Sequence, residues 1–398
     1  MIKKILLITI SFISFYAKGN TVKPGAENLS EYLPLLKNKN VGVFANQTSI
    51  LSNNHLVDVL ISKGIKIKKI FGPEHGFRGT AAAGEKIKNT VDKKTGIPIV
   101  SLYGKHLKPT ETDLEGIDVL VFDIQDVGVR FYTYISSLQY FMEAALENEI
   151  PLIILDRPNP NGFYVDGPVL DTKFKSFIGM QPVPVVYGMT IGEYANMLIG
   201  ENWISKLASI AYNKNKSLIK VIKCINYNHS VKYNLPVAPS PNLPNMQSVY
   251  LYPSVCFFEG TIFSEGRGTD KPFQIAGHPD MPQNLYSFIP KPNKAAHFSK
   301  CYYQKCYGFN FTGTVDEVLN KINGKIQIKF ITDAYKLFPG KDSFFLENKF
   351  FNKLAGNDEL MAQIKSFTPE MEIRESWQPA LNEFKIIRKK YLLYKDFE

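Results

Sequence analysis

The stretch DVLVFDIQD, residues 118–126, decides the fold. Val119 to Phe122 form an unbroken apolar run, closed by polar residues. That is the pattern of a strand buried on both faces, and such strands belong to parallel sheets covered by helices. Four similar runs lie around it: VGVFAN (41–46), IKIKKIF (65–71) and IPIVSLYG (97–104) before it, and PLIILDRPNP (151–160) after it. LIKVIKCINY (218–227) reads as one more. Helical patterns separate them: HLVDVLISKG (55–64), YISSLQYFMEAALENE (134–149) and TIGEYANMLIGENW (190–203). The last opens with Thr190 and Glu193 at capping-box spacing. Buried strands alternating with helices predict an α/β fold built on a doubly wound, mostly parallel sheet.

From about Pro239 the character changes. The chain becomes loop-rich, then aromatic and mixed, and it ends on helical patterns near LAGNDELMAQIKSF and PALNEFKIIRKKYLLY. A boundary near residue 235 is expected, with a sheet domain over 20–235 and a smaller α+β domain over 236–398 that closes a cleft. A chain of 398 residues is long enough for two such cores. At 44% hydrophobic and 21% charged residues it has the composition of a soluble globular protein. No internal stretch approaches the roughly 18 apolar residues of a membrane helix.

The first residues differ. MIKKILLITISFISFYAKGN sets Lys3 and Lys4 before an apolar run from Ile5 to Ala17, which is the layout of a secretory signal peptide over residues 1–19. A buried N-terminal strand is the other reading. No cysteine follows the run, which counts against a lipoprotein. Export, to the periplasm, is therefore expected, without stable membrane insertion. Of the four cysteines, Cys224, Cys256, Cys301 and Cys306, none makes a CxxC pair or a common zinc spacing. A disulfide between Cys301 and Cys306 and a set of reduced thiols both remain open. The formal charge of +10, or +8 once Lys3 and Lys4 are gone, is scattered along the chain. With no basic helix and no aromatic-basic RNA motif, no nucleic-acid partner is expected.

Ligands of an open parallel sheet sit beyond the carboxyl ends of its strands. Here those ends carry Asn46 and Gln47; Glu74 and His75; Tyr103; Asp123, Gln125 and Asp126; and Asp156, Arg157 and Asn159. Five predicted strands thus converge on one polar edge, which marks one site. In FGPEHGFRG (71–79), Pro73 and the glycines fence Glu74, His75 and Arg78 directly after a strand. The loop is either an ordinary polar turn or a mount for a catalytic carboxylate. DIQDVGVRFYTY (123–134) is the densest part and adds Arg130, Tyr132 and Tyr134. Arg130 can equally lock its loop by pairing with an aspartate, and the tyrosines can be core. SEGRGTD (264–270) brings Glu265, Arg267 and Asp270 from the second half, at an expected domain interface.

Several chemistries are excluded. GxSxG, HExxH and GxGxxG are absent, and GTAAAGEK (79–86) lacks the Lys-Ser/Thr ending of a phosphate-binding loop. A metal on Glu74 and His75, completed by Asp123 or Asp126, is a minor reading, because adjacent residues rarely point the same way. No metal and no cofactor are expected. Carboxylates, arginines, tyrosines and amides remain. Paired carboxylates suit glycoside hydrolysis, one protonating the leaving oxygen while the other acts as base or nucleophile. Arginines suit a substrate carboxylate.

GPEHGFRG, SLYG, DVLVFDIQDVGVRFYTYISSL, LDRPNPNG, PVPVVYGMTIGEYA, PSPNLPN, YPSVCFFEGTIFSEGRGTDKPFQ and ESWQPALNEFKIIRKKYLLY resemble the motifs of the exo-acting β-N-acetylmuramidase family. The resemblance runs from about residue 38 to the C-terminus. It implies a hydrolase removing N-acetylmuramic acid from the non-reducing end of peptidoglycan fragments. It also implies a Rossmann-like N-terminal domain and a smaller C-terminal one, with the cleft between them. The glutamate of GPEHG falls on Glu74, expected as the general acid. Asp126 is expected as the second carboxylate, with Glu265 as the alternative, and His75 and Tyr132 assisting. Arg78, Arg130 and Arg267 are candidates for the lactyl carboxylate on chemical grounds. Asn46, Tyr103, Asp123, Gln125, Asp156 and Asn159 complete the expected sugar-binding set. A non-catalytic muramyl-sugar binding protein and a metal-dependent muropeptide hydrolase are the competing readings.

Overall fold

β1 (Asn40–Ala45) lies at the centre of a seven-stranded sheet, where it pairs in parallel with both its neighbours. The structure is a computed structural model that describes residues 21–74, 76–78 and 89–398. After β1 a two-strand hairpin, β2 (Ile50–Leu51) and β3 (Asn54–His55), leads into the helix Leu56–Ser62. His55 caps that helix: its Nδ1 accepts from the Val57 amide at 3.2 Å, and its Nε2 meets the Asn46 carbonyl at 2.8 Å. The chain then builds outward through β4 (Lys66–Gly72), β5 (Thr90–Val91) and β6 (Pro98–Ser101). It crosses back to β7 (Val119–Asp123), β8 (Leu152–Leu155) and β9 (Ile219–Ile222).

The order is β5-β6-β4-β1-β7-β8-β9, parallel throughout except for β5. The doubly wound sheet expected from the apolar runs is thus present, and LIKVIKCINY supplies its last strand. β5 was not anticipated. It is two residues long and both are exposed, so no apolar pattern announces it.

Side chains alternate across the sheet. Val41, Val43, Val119 and Val121 pack on one face against Leu56, Val57 and Leu60 of the helix after the hairpin. Phe44, Leu120 and Phe122 pack on the other, where Leu138, Phe141 and Met142 of the helix Tyr134–Glu147 cover them. Phe44 stacks on Phe122 with ring centroids 4.8 Å apart. Burial on both faces is why these strands read as continuous apolar runs.

The second half contains a three-stranded antiparallel sheet, β10 (Ile275–His278), β12 (Cys306–Asn310) and β11 (Tyr286–Phe288), with helices around it. The longest of these is Glu370–Lys389. Its core is continuous with the helical face of the large sheet: one cluster joins Phe122 and Phe141 to Phe257, Phe263, Trp377 and Phe384. Among the described residues no helix is long and apolar enough to cross a membrane. The expected signal peptide and His75 lie outside the described residues.

Candidate active site

β1 and β7 are the strands where the sheet's winding reverses, so the crevice beyond their ends is the expected site. Short loops knit it together. Asn46 follows β1; its Oδ1 accepts from the amide and hydroxyl of Thr48, and its Nδ2 donates to the Tyr134 hydroxyl at 2.9 Å. The Thr48 hydroxyl in turn accepts from the Gln125 amide at 3.0 Å.

A cavity of about 170 Å³ opens beside this crevice, where both halves of the chain meet. Glu74, just past β4, lines it, and the Tyr103 hydroxyl donates to Glu74 Oε1 at 2.9 Å. Tyr132 and Tyr134 line it from the segment after β7, with rings edge to face at 4.8 Å. The Tyr132 hydroxyl donates to the Pro239 carbonyl at 2.9 Å, which fixes the linker between the halves. From that linker come Ser240 and Asn242. Asn242 donates through Nδ2 to the Ala295 carbonyl, while its buried Oδ1 has no partner among the described residues.

Two charged lining residues come from the second half. Glu259 sits on the short 3-10 helix Cys256–Gly260, and Arg267 follows it in SEGRG. Arg267 Nη2 donates to Glu259 Oε1 at 2.6 Å, and its Nε lies 3.2 Å from Glu265 Oε1. Lys300 Nζ is 3.0 Å from the other oxygen of Glu265. Burial alone would raise the Glu265 carboxyl, but Lys300 and Arg267 bring it below the usual range. Among the described residues no group of three or more His, Cys, Asp or Glu gathers to hold a metal.

The predicted site residues divide sharply. Glu74, Tyr103, Tyr132 and Arg267 meet at or directly behind the cavity wall. Most of the others lie on the expected edge but are occupied in building it. Asp126, the expected second carboxylate, is not among the lining residues. It is 5% exposed, its Oδ2 accepts from the Gly128 amide at 2.7 Å and from the Tyr187 hydroxyl, and it holds the turn after β7. Asp123 and Arg157 form a buried two-pronged ion pair at 2.6 and 2.9 Å that clamps the ends of β7 and β8. Asp156 accepts from Thr190, Gly192 and Tyr394, fastening the start of one helix and the C-terminal tail. Gln125 and Asn159 donate to loop carbonyls, at Pro158 and Met189 respectively. Arg78 is drawn off by Asp92, with contacts of 2.8 to 3.1 Å.

Arg130 departs furthest from its expected role as a substrate ligand. It is fully buried, and its guanidinium donates to four carbonyls: Pro168 and Val183 in the first half, Leu354 and Ala355 in the second. The last two close the helix Phe350–Ala355, where a cation also complements the helix dipole. Arg130 therefore rivets the halves together. Arg130→Met keeps most of the volume but strands these carbonyls. It should cost about 3 kcal/mol in a chemical-unfolding measurement.

Burial lifts both Asp126 and Asp156 to about 6, above the ~3.9 of an unfolded aspartate. The folded chain thus keeps these protons where the unfolded chain has lost them. Their contribution favours folding below about pH 4 and is lost as pH rises through about 6. Asp126→Asn should accordingly be more favourable at pH 7 than at pH 4 by about 2 kcal/mol, read from urea unfolding at each pH. An equal effect at both would mean that Asp126 titrates normally.

Glu259, Asn242 and Ser240 were not anticipated. Glu259 follows Phe257 and Phe258, both fully buried, and so reads as core. The signal available was its place inside the long motif YPSVCFFEGTIFSEGRGTDKPFQ.

Known proteins resemble this chain over most of its length. A family model described as exo-beta-N-acetylmuramidase NamZ, N-terminal, matches residues 41–247, and its C-terminal counterpart matches residues 250–394. The peptidoglycan beta-N-acetylmuramidase NamZ of Bacillus subtilis (strain 168) is 38% identical, over 95% of this chain and 92% of its own. Crystal structures of two DUF1343 family proteins from Bacteroides fragilis NCTC 9343 superpose with TM-scores of 0.84 and 0.78, at 44% and 30% identity. Each alignment covers 94% of this chain and 99% of the other. With both halves matched in order, and with the carboxylate cavity lying where they meet, the chain belongs to the exo-β-N-acetylmuramidase NamZ family.

Proposed function

We propose that this glycoside hydrolase removes N-acetylmuramic acid from the non-reducing end of peptidoglycan fragments such as MurNAc-GlcNAc. The observation that carries the reading is the cavity wall itself. Glu74 from the sheet half and Glu259 from the other half line one space, together with Arg267. Glycosidic cleavage needs a proton delivered to the departing oxygen and a carboxylate on the opposite side, acting on water or on the anomeric carbon.

Glu74 is the proton donor in this scheme. The Tyr103 hydroxyl orients its carboxyl group, and β4 holds it at the sheet's edge. Glu259 is the second carboxylate, since its 2.6 Å ion pair with Arg267 uses the ionised form. Arg267 spends Nη2 and Nε on the two glutamates, which leaves Nη1 as a donor for the lactyl carboxylate that distinguishes muramic acid. The unpartnered Asn242 Oδ1 is an acceptor for a sugar hydroxyl or the acetamido N–H, and a substrate would relieve its unmet hydrogen bond.

We also assign the protein to the periplasm. The N-terminal layout of Lys3, Lys4 and a short apolar run supports export, and a peptidoglycan substrate lies outside the cytoplasm.

The test is to incubate the purified mature protein with MurNAc-GlcNAc, with and without EDTA, and to identify products by mass. Free MurNAc in both samples is the expected result. Saturable binding without product would instead favour a sugar-binding protein. Product in the EDTA-free sample alone would make the carboxylates metal ligands.

A further inference from the structure

All four cysteines are thiols in this structure, and two of them meet. Cys306 is buried at the start of β12, opposite Phe288 of β11. Cys301, partly exposed, stands on the turn that leads into that strand. The two side chains lie within hydrogen-bonding reach of each other. Their other contacts are long: Cys301 Sγ is 3.8 Å from the Ile262 carbonyl, and Cys306 Sγ is 3.7 Å from the Gln304 carbonyl. Joining the sulfurs therefore breaks no strong hydrogen bond.

The turn between them is a demanding one. Cys301 and Tyr303 both have left-handed backbones, with φ of 58° and 57°. A residue carrying a Cβ keeps that conformation only where its surroundings hold it. The Tyr303 amide donates to the Pro290 carbonyl at 2.9 Å, and the Gln304 amide donates to the Cys301 carbonyl at 3.1 Å. The residue just before the turn is Lys300, whose Nζ donates to the Phe258 and Thr261 carbonyls at 2.7 and 2.9 Å and pairs with Glu265. Glu265 in turn holds Arg267, so the backbone at Cys301 anchors a chain of charges that ends at the cavity.

We infer that Cys301 and Cys306 are an oxidation site: they close to a disulfide that staples the turn behind Lys300. The oxidant is a small-molecule disulfide such as oxidised glutathione. Cys301 is the attacking sulfur, since it is the more exposed of the two. Its hydrogen bond with Cys306, helped by the charge of Lys300, brings its thiol below the usual range; the same bond, with burial, pushes Cys306 up. The Cys301 thiolate attacks one glutathione sulfur, and the S–S bond breaks to release one glutathione. The Cys306 sulfur then attacks Cys301 Sγ in the mixed disulfide, and its proton goes to the second departing glutathione thiolate. Two protein thiols are oxidised and one glutathione disulfide is reduced.

The test needs no sugar substrate. The whole chain is equilibrated in equal millimolar concentrations of reduced and oxidised glutathione, quenched in acid, denatured, alkylated and mapped by mass. Cys224 and Cys256 should be alkylated, and Cys301 should be joined to Cys306, with the oxidised form exceeding the reduced by at least about tenfold. Dithiothreitol should then lower the thermal midpoint by about 3 °C, the effect of opening so small a ring in a chain of this length. Cys301→Ser, which has no ring to open, should show no such fall. Alkylation of all four thiols, or glutathione left on Cys301, would overturn the pair. A disulfide whose reduction leaves the midpoint in place, or a midpoint that falls equally in Cys301→Ser, would overturn the staple.

Discussion

Glu74→Gln should lower kcat on MurNAc-GlcNAc about a thousandfold, or ~4 kcal/mol in the barrier, with the thermal midpoint unchanged within about 2 °C. Glutamine keeps the shape and still accepts from Tyr103, so the loop after β4 retains its packing. What it cannot do is release a proton to the departing oxygen. The loss should therefore depend on the leaving group. With 4-nitrophenyl β-N-acetylmuramide, whose phenolate departs without protonation, the variant should recover most of its deficit. If both substrates lose the same factor, Glu74 is positioning the sugar rather than donating to it. A loss smaller than about tenfold, or ~1.4 kcal/mol, on the disaccharide would remove it from the chemistry altogether.

The place of Glu74 on the cavity wall was legible in the sequence for a physical reason. Glu74 follows an apolar strand, and Pro73 and Gly72 stop that strand abruptly, so a carboxylate there has to project from the sheet's edge. The sheet was legible for a similar reason: strands covered on both faces have few polar residues to confuse their pattern. β5 escaped because an exposed two-residue edge strand buries nothing. The structural engagement of Asp126, Arg130 and Asp156, which the sequence did not reveal, has one common origin. Loops packed over a sheet edge bring their own amides, carbonyls and hydroxyls out of water, and these need partners. Aspartate and arginine serve that purpose as readily as they serve catalysis. Their positions were as expected, but a sequence does not say whether their oxygens and nitrogens are already engaged. Glu259 is the converse case: it follows two buried phenylalanines, and its carboxylate reaches the cavity only once the second half has packed against the first.

That contrast makes Glu259→Gln the decisive partner experiment. It should reduce kcat on the disaccharide by about 10²–10³, whereas Asp126→Asn should stay within about tenfold of the wild type. The asparagine oxygen can accept from both the Gly128 amide and the Tyr187 hydroxyl, so the turn after β7 survives. Glu259→Gln has a confounding effect, because Arg267 loses one of its two carboxylates and keeps only Glu265. Weaker sugar binding would then raise KM as well. Glu259→Ala with added azide separates the two causes. A small anion entering the vacated space can attack the anomeric carbon while Glu74 protonates the departing oxygen, so that the C–O bond breaks as a C–N bond forms. Recovered turnover with a muramyl azide product would identify Glu259 as the carboxylate facing the anomeric carbon. Recovery without that product would point to a base acting on water. If azide does nothing and Asp126→Asn is the variant that loses activity, the turn after β7 has to move in the working enzyme, and the pairing of Glu74 with Glu259 is wrong.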